Sequence, residues 1–246
     1  MRALKASWRI AATAGLVVNG LWQAGFVLRR VERERRQAIV QAWSARVLSA
    51  MGIELRQSGE PRAGVLMVAN HVSWLDITAL HAVAPHIRFV SKSTIAHWPL
   101  VGTLARAAST LFIERERKRD ALRVVHEVAA ALRAGDTVGV FPEGTTGPGR
   151  TLLPFHANLL QAAITTGTPV QPVVLRYSEP DRPFSEAAQY IGDTTLVGSA
   201  LRVAGASGLV VHVEFLEPEE PRDIDRRGLA QRLHDRIAAR LPSPGT

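Results

Sequence analysis

The sequence predicts an α/β domain with a mostly parallel central sheet flanked by helices, preceded by an N-terminal membrane-associated two-helix hairpin. Three observations predict it. From Gly52 onward, strand-like and helix-like runs alternate, the pattern of parallel strands joined by helical crossovers. The first fifty residues instead read as helical and basic. Two polar clusters, Asn70-His71-Val72-Ser73-Trp74-Leu75-Asp76 and Phe141-Pro142-Glu143-Gly144-Thr145, each follow a short apolar, β-prone run. Clusters at the strand ends of one sheet can converge on one crevice. The chain divides accordingly into a hairpin, residues 1–51, and an α/β domain, residues 52–246.

Residues 8–28 are largely apolar. As a helix they extend about 31 Å, roughly a hydrocarbon core. However, Arg9, Asn19 and Gln23 interrupt the run, and Gly15, Gly20 and Gly25 weaken it. Basic residues stand on both sides: Arg2, Lys5 and Arg9 before, Arg29, Arg30, Arg33, Arg35 and Arg36 after. A spanning helix normally shows charge asymmetry, whereas one lying in the interface needs none. The expectation is therefore a monotopic helix with Trp8 and Trp22 at headgroup depth; a single span through 8–28 and a soluble core helix are the alternatives. Arginines follow the apolar run with no small-residue cleavage site, which argues against a signal peptide. In a second helix over 31–51, Ile39, Val40, Trp43, Val47 and Leu48 make an amphipathic stripe, and Gly52 stops it.

In the domain, strands are predicted at 53–57, 65–69, 87–91, 110–113, 137–141, 170–176 and 209–215. Helices are predicted at 74–83, 117–133, 157–166, 195–204 and 224–241. Leu122, Val125, Ala129 and Leu132 give the second of these helices its apolar face, and Gly135 closes it. Residues 180–188 and 217–222, rich in proline and charge, read as surface loops.

A chain of 246 residues with 46% hydrophobic content can build one good-sized domain with or without an appendage. The absence of cysteine excludes disulfides, thiolate nucleophiles and cysteine metal sites. The net charge of +8 favours an anionic partner, such as a membrane surface or an acidic carrier protein. Nucleic acid is disfavoured: the basic residues are scattered, and no aromatic-basic pattern like that of an RNA-binding sheet is present.

His71 falls between a strand and a helix, with Ser73 placed to cap that helix and Asp76 in its first turn. Two readings stand. In one, Asp76 compensates the helix dipole and His71 is a loop histidine. In the other, Asp76 fixes the imidazole tautomer and stabilises its charged form, the logic of a hydrolase triad without its serine. The turn after Phe141 is glycine-rich and suited to anions. Gly139 to Gly144 has P-loop spacing, but Thr145 stands where the lysine belongs, so a nucleotide P-loop is rejected. The chain has no G-x-S-x-G elbow and no paired-histidine metal motif, which disfavours a serine hydrolase and a metal site. Leu111-Phe112-Ile113-Glu114-Arg115 ends a strand with an available cation, and Pro169 and Pro172 suit an edge strand or a strand start.

Together these segments resemble the glycerolipid acyltransferases, the 1-acylglycerol-3-phosphate acyltransferase family, over roughly residues 52–177. The H-x4-D block is His71 and Asp76, the F-I-x-R block Phe112, Ile113 and Arg115, the F-P-E-G-T block residues 141–145, and the V-x-P-V block residues 170–173. The resemblance implies direct acyl transfer without an acyl-enzyme and without a cofactor. His71 would be the general base and Asp76 its orienting partner. The acyl donor would be a thioester co-substrate, acyl-CoA or acyl carrier protein. The acceptor would be a lysolipid, lysophosphatidate first. Phe112, Arg115, Glu143, Gly144, Thr145, Arg150 and Pro172 would form the substrate-binding set, with a backbone N–H near Gly144 for the oxyanion. The hairpin would hold the domain on an anionic bilayer, at the cytoplasmic face of the cell membrane.

One position departs from the family. Phosphate-recognising members read E-G-T-R, and here Thr146 replaces the arginine; the next basic residue is Arg150. That removes a bidentate phosphate partner. The E-G-T-T turn followed by Leu152-Leu153-Pro154-Phe155-His156 resembles the branch that acylates lyso-ornithine lipids, so that acceptor is the alternative. A non-catalytic membrane-binding module is the alternative of another class.

Overall fold

The computed structural model describes residues 2–113 and 118–242. Two helices lead, α1 (Arg2–Phe26) and α2 (Arg33–Ala50). The domain adds helices α3 (Leu75–Val83), α4 (Ser93–Ala96), α5 (Val101–Ala107), α6 (Lys118–Arg133), α7 (Leu160–Thr166), α8 (Leu196–Gly205) and α9 (Arg226–Ala238). Its strands are β1 (Ile53–Ser58), β2 (Leu66–Ala69), β3 (Ile87–Lys92), β4 (Leu111–Ile113), β5 (Thr137–Val140), β6 (Val170–Ser178) and β7 (Leu209–Phe215). They form one sheet in the order β1-β7-β6-β2-β5-β3-β4. Every pairing is parallel except β6 with β7, so the sheet is mostly parallel, as the alternating pattern requires.

Strand alternation separates two cores. Met67 and Ala69 of β2, with Val173, Leu175 and Tyr177 of β6, face Leu75, Ala79 and Leu80 of α3 and Val203 of α8. Leu66 and Val68, with Val138 and Val140 of β5, face α6, α7 and α9. Helices thus cover both faces.

The two leading helices differ. α2 buries Val47 and Leu48 and packs on α3, and Leu48 and Met51 belong to the first core. The change near residue 51 is therefore one of architecture within a continuous core. α1 packs on α2, α5 and α8 by one side only. Trp43 Nε1 donates to Leu16 O at 2.8 Å, and a Cβ at Gly20 would lie 2.7 Å from that same nitrogen, so glycine permits the close crossing. Arg9, which breaks the apolar run, turns inward and donates to the carbonyls of Ala204 and Ala206 at the end of α8. The other side of α1 exposes Leu4, Trp8, Val18, Trp22 and Phe26. No helix among the described residues is long and apolar enough to cross a membrane, which removes the single-span alternative for residues 8–28.

Four expectations need correction. α4 and α5 were not foreseen; runs of four and seven residues are too short to show a helical period. The buried face of α6 runs through Val124, Val128, Ala129 and Leu132, leaving Leu122 66% exposed, so the face is rotated from the predicted one. Pro172 lies inside a central strand. It is tolerated because the β6–β7 ladder begins at the next pair, Val173 with Phe215. Finally, the stretch 180–188 is no plain surface loop, because Phe184, Ser185 and Ala188 are buried.

Candidate active site

β2 and β5 are neighbours, and both polar clusters leave their carboxyl ends together. Asn70 fixes the first departure. Its side-chain amide donates to Leu175 O at 2.9 Å and accepts from Leu175 N at 2.7 Å, which extends the β2–β6 pairing by one side chain. The chain then turns into α3.

Asp76, in the first turn of α3, is fully buried. Its Oδ2 accepts from the N–H groups of Val72 at 2.7 Å and Ser73 at 3.0 Å, and lies 2.8 Å from His71 Nδ1. Its Oδ1 accepts from the Tyr177 hydroxyl at 2.7 Å. A buried carboxylate is tolerated when donors surround it, as they do here. The tyrosine stays a donor: burial, and then the negative charge of Asp76, push its pKa well above the usual value. Both readings of Asp76 therefore merge in one geometry. The cap is inverted from the expected one, since Asp76 reaches back to the loop N–H groups while Ser73 Oγ is buried without a partner among the described residues.

With Nδ1 directed at Asp76, Nε2 is the free nitrogen of His71, and no described residue bonds it. The side chain is 18% exposed. Phe141 stacks on the imidazole at 4.0 Å between centroids, and Phe89 stacks on Phe141. Gly139 lets Phe89 lie there: a Cβ would fall 2.9 Å from its ring.

Glu143 joins the two clusters. Its Oε1 accepts from His71 N at 2.7 Å and its Oε2 from Leu153 N at 2.9 Å. Burial pushes its carboxyl pKa up, opposed by those two N–H groups and by His71. Gly147 N returns a bond to His71 O at 2.7 Å. Gly144 takes φ +72 in the turn, and its own N–H is spent on Phe141 O, which leaves the neighbouring N–H groups of the turn as the ones near it. Thr146 donates its hydroxyl to Tyr190 O.

His71, Asp76, Glu143 and Gly144 are thus brought together, and Thr145 is exposed on the same turn. Arg150 is not a free cation; it pairs with Glu186 at 2.9 Å. Phe112 lies on β4, three strand spacings from β2, which is about 14 Å. Pro172 is buried in the sheet, in register with Val68, and its carbonyl accepts from Leu216 N. Arg115 lies outside the described residues. Sequence reasoning missed Tyr177 and gave Asn70 no role. The available signal for Tyr177 was its place as the last inward residue after Val173 and Leu175, where a buried hydroxyl needs a partner.

An imidazole held by a saturated carboxylate at the carboxyl ends of two neighbouring parallel strands leaves one ring nitrogen able to exchange a proton with a bound hydroxyl. Residues 25–176 match the family model described as Acyltransferase, and the chain belongs to that family of acyltransferases. Over 254 residues it is 39% identical to the lyso-ornithine lipid O-acyltransferase of Pseudomonas aeruginosa, covering 100% of this chain and 96% of that one. It is 34% identical to the 1-acyl-sn-glycerol-3-phosphate acyltransferase of Neisseria meningitidis, over 89% of this chain and 88% of the other. The crystal structure of the 1-acyl-sn-glycerophosphate acyltransferase PlsC from Thermotoga maritima shares the fold. The TM-score is 0.70 at 18% identity, covering 97% of this chain and 95% of that one.

Proposed function

We propose that the chain transfers a fatty acyl group from an acyl thioester to a lysolipid hydroxyl, with lyso-ornithine lipid as the preferred acceptor. The observation that carries the acceptor is the state of the second cluster. Thr146 has given its hydroxyl to Tyr190, and Arg150 is paired with Glu186. A phosphate monoester is best held by an unpaired bidentate cation. The Pseudomonas relative, aligned over the whole chain, supports the same acceptor by its name. Lysophosphatidate is the second reading, favoured by the Neisseria relative.

In the proposed mechanism, Nε2 of His71 takes the proton of the acceptor hydroxyl as its oxygen attacks the thioester carbonyl. The C–O bond forms, the C–S bond breaks, and the imidazolium returns its proton to the leaving thiolate. Asp76 stabilises that imidazolium at 2.8 Å. For the oxyanion, the N–H of Thr145 is a candidate, because it has no partner among the described residues. Acyl-CoA and acyl carrier protein present the same thioester, and either fits this chemistry.

The test is an acceptor panel with both donors, comparing wild type with His71→Ala. Removing the base is expected to lower turnover by about 10²–10⁴. Undiminished turnover in the variant overturns the mechanism, and a higher kcat/KM for lysophosphatidate than for lyso-ornithine lipid overturns the acceptor.

The exposed side of α1 is proposed to lie in the bilayer interface, where a lysolipid presents its hydroxyl. Leu4, Trp8, Val18, Trp22 and Phe26 offer the apolar surface, and Arg29 and Arg30 follow for anionic headgroups. Deleting residues 1–50 would also remove Leu48 from the core, so point variants are the better test. Changing Trp8, Trp22 and Phe26 to Ser is expected to release the folded protein from anionic vesicles. A triple variant that still sediments with them refutes the interface.

A further inference from the structure

Residues 184–191 connect β6 to α8, yet they are fastened like part of the active site. Three attachments join them to the second cluster. The Thr146 hydroxyl donates to Tyr190 O, Gln189 Nε2 donates to Pro148 O at 2.9 Å, and Arg150 pairs with Glu186 at 2.9 Å. The attached positions run antiparallel, with 146, 148 and 150 set against 190, 189 and 186. A fourth bond reaches the first cluster: Tyr190 N donates to Val72 O at 3.1 Å, one residue from the catalytic histidine. Two more fix the segment at its flanks. Ser185 N donates to Tyr177 O at 2.7 Å, and Arg202 donates to Gln189 O at 2.9 Å. Gln189 itself is buried.

Loops that only connect elements keep their backbone polar groups in water. Here the backbone of Tyr190 is committed in both directions, its N–H to the histidine loop and its carbonyl to the Glu-Gly-Thr turn. We propose that residues 186–190 form the wall that sets acceptor specificity, with Thr146 as the positioning residue that fastens it. The inference rests on the lysolipid acyl transfer proposed above. It gives position 146 a different task from headgroup binding. The short β-branched side chain has few rotamers and presents its hydroxyl to a carbonyl. An arginine there would leave the Tyr190 carbonyl without that donor and place a long cation in the crevice instead. The Arg150 and Glu186 pair is half exposed on both sides and adds little to the fastening, so the hydroxyl and the buried amide carry it.

The test is steady-state kinetics of Thr146→Val, Thr146→Ser and Gln189→Leu on lyso-ornithine lipid and lysophosphatidate. Thr146→Val keeps the shape and removes the donor. It is expected to raise the KM for the preferred acceptor about five- to tenfold, the effect of one hydrogen bond, while kcat and the KM for the acyl donor stay within about twofold. Thr146→Ser restores the wild-type KM. An unchanged acceptor KM in Thr146→Val overturns the inference, as does an equal shift in the KM for the acyl donor. If Thr146→Val does not fold, Gln189→Leu decides by the same readout. Wild-type protein inactive on both lysolipids overturns the acyl-transfer reading, and the wall with it. Active wild type with an unaltered Thr146→Val overturns the wall alone.

Discussion

Asp76 and Glu143 are both buried carboxylates with both oxygens occupied, but they hold different things. Asp76 gathers an imidazole, a phenol and two N–H groups of its own loop. Among the described residues, Glu143 gathers two N–H groups only, one from each of two loops. In the proposed mechanism, the first carboxylate holds a side chain whose proton must move. The second holds backbone, and so sets where the first loop sits relative to the turn. A saturated acid can therefore serve chemistry or architecture, and what it is bonded to tells which.

Neutralising each acid separates the two tasks. Asp76→Asn can keep its oxygen on His71, Val72 and Ser73 and turn its amide toward Tyr177, whose hydroxyl rotates to accept. The tautomer of His71 is then preserved and the charge opposite the imidazolium is lost. Turnover is expected to fall by about 10²–10⁴, with a modest change in stability. Stopped assays and a denaturant melt of the same preparation check this; a variant as active as wild type would show that His71 needs no counter-charge. Glu143→Gln is expected to behave the other way. Its amide nitrogen must face either His71 N–H or Leu153 N–H, leaving one buried donor opposed. Stability should fall by about 1–3 kcal/mol, with turnover within about tenfold of wild type. A larger loss of turnover than in Asp76→Asn would break the distinction between the two acids.

Much of this was legible in the sequence, for a physical reason. The alternation of short apolar runs with amphipathic ones reports burial directly, so the seven strands fall within a few residues of their predicted places. The His-x4-Asp spacing reports a helix start, and the turn through Ser73 and Trp74 that opens α3 brings Asp76 back under His71. What could not be read is tertiary pairing. Nothing local says that Glu143 bonds the backbone of residues 71 and 153, because those partners lie 72 and 10 positions away. Tyr177 is likewise 101 residues from the acid it serves. The packed stretch 184–191 was hidden by its own composition, since prolines and charges upstream signal a loop whatever its ends later bind. Thr146 was noticed only as a missing arginine; its hydrogen bond to Tyr190 exists only in three dimensions.

The smallest effect at neutral pH is expected at His81, the far end of an aromatic column that reaches both clusters. It meets Phe89 edge-on, Phe89 stacks on Phe141, and Phe141 stacks on His71. Both ring nitrogens of His81 are buried without a partner among the described residues. Burial, and then the charge of His86, push its pKa down to about 4. The sign follows from that lowering. Between pH 6.5 and about 4 the unfolded chain binds a proton that the folded chain refuses, so stability falls as the solution is acidified. The loss from this residue amounts to about 3 kcal/mol by pH 4. His81→Phe keeps a flat ring against Phe89 and removes two unpaired polar atoms. At pH 7 it should raise stability by about 1 kcal/mol, and below pH 6 its melts should fall less steeply than those of wild type. His212 is also lowered to about 4, by partial burial and then by Arg176 and Arg56, so part of the slope remains in the variant. An unchanged acid slope would mean that His81 finds a proton acceptor in the fold. The column would then be a polar link between the two clusters, and the division of labour between Asp76 and Glu143 would have to include it.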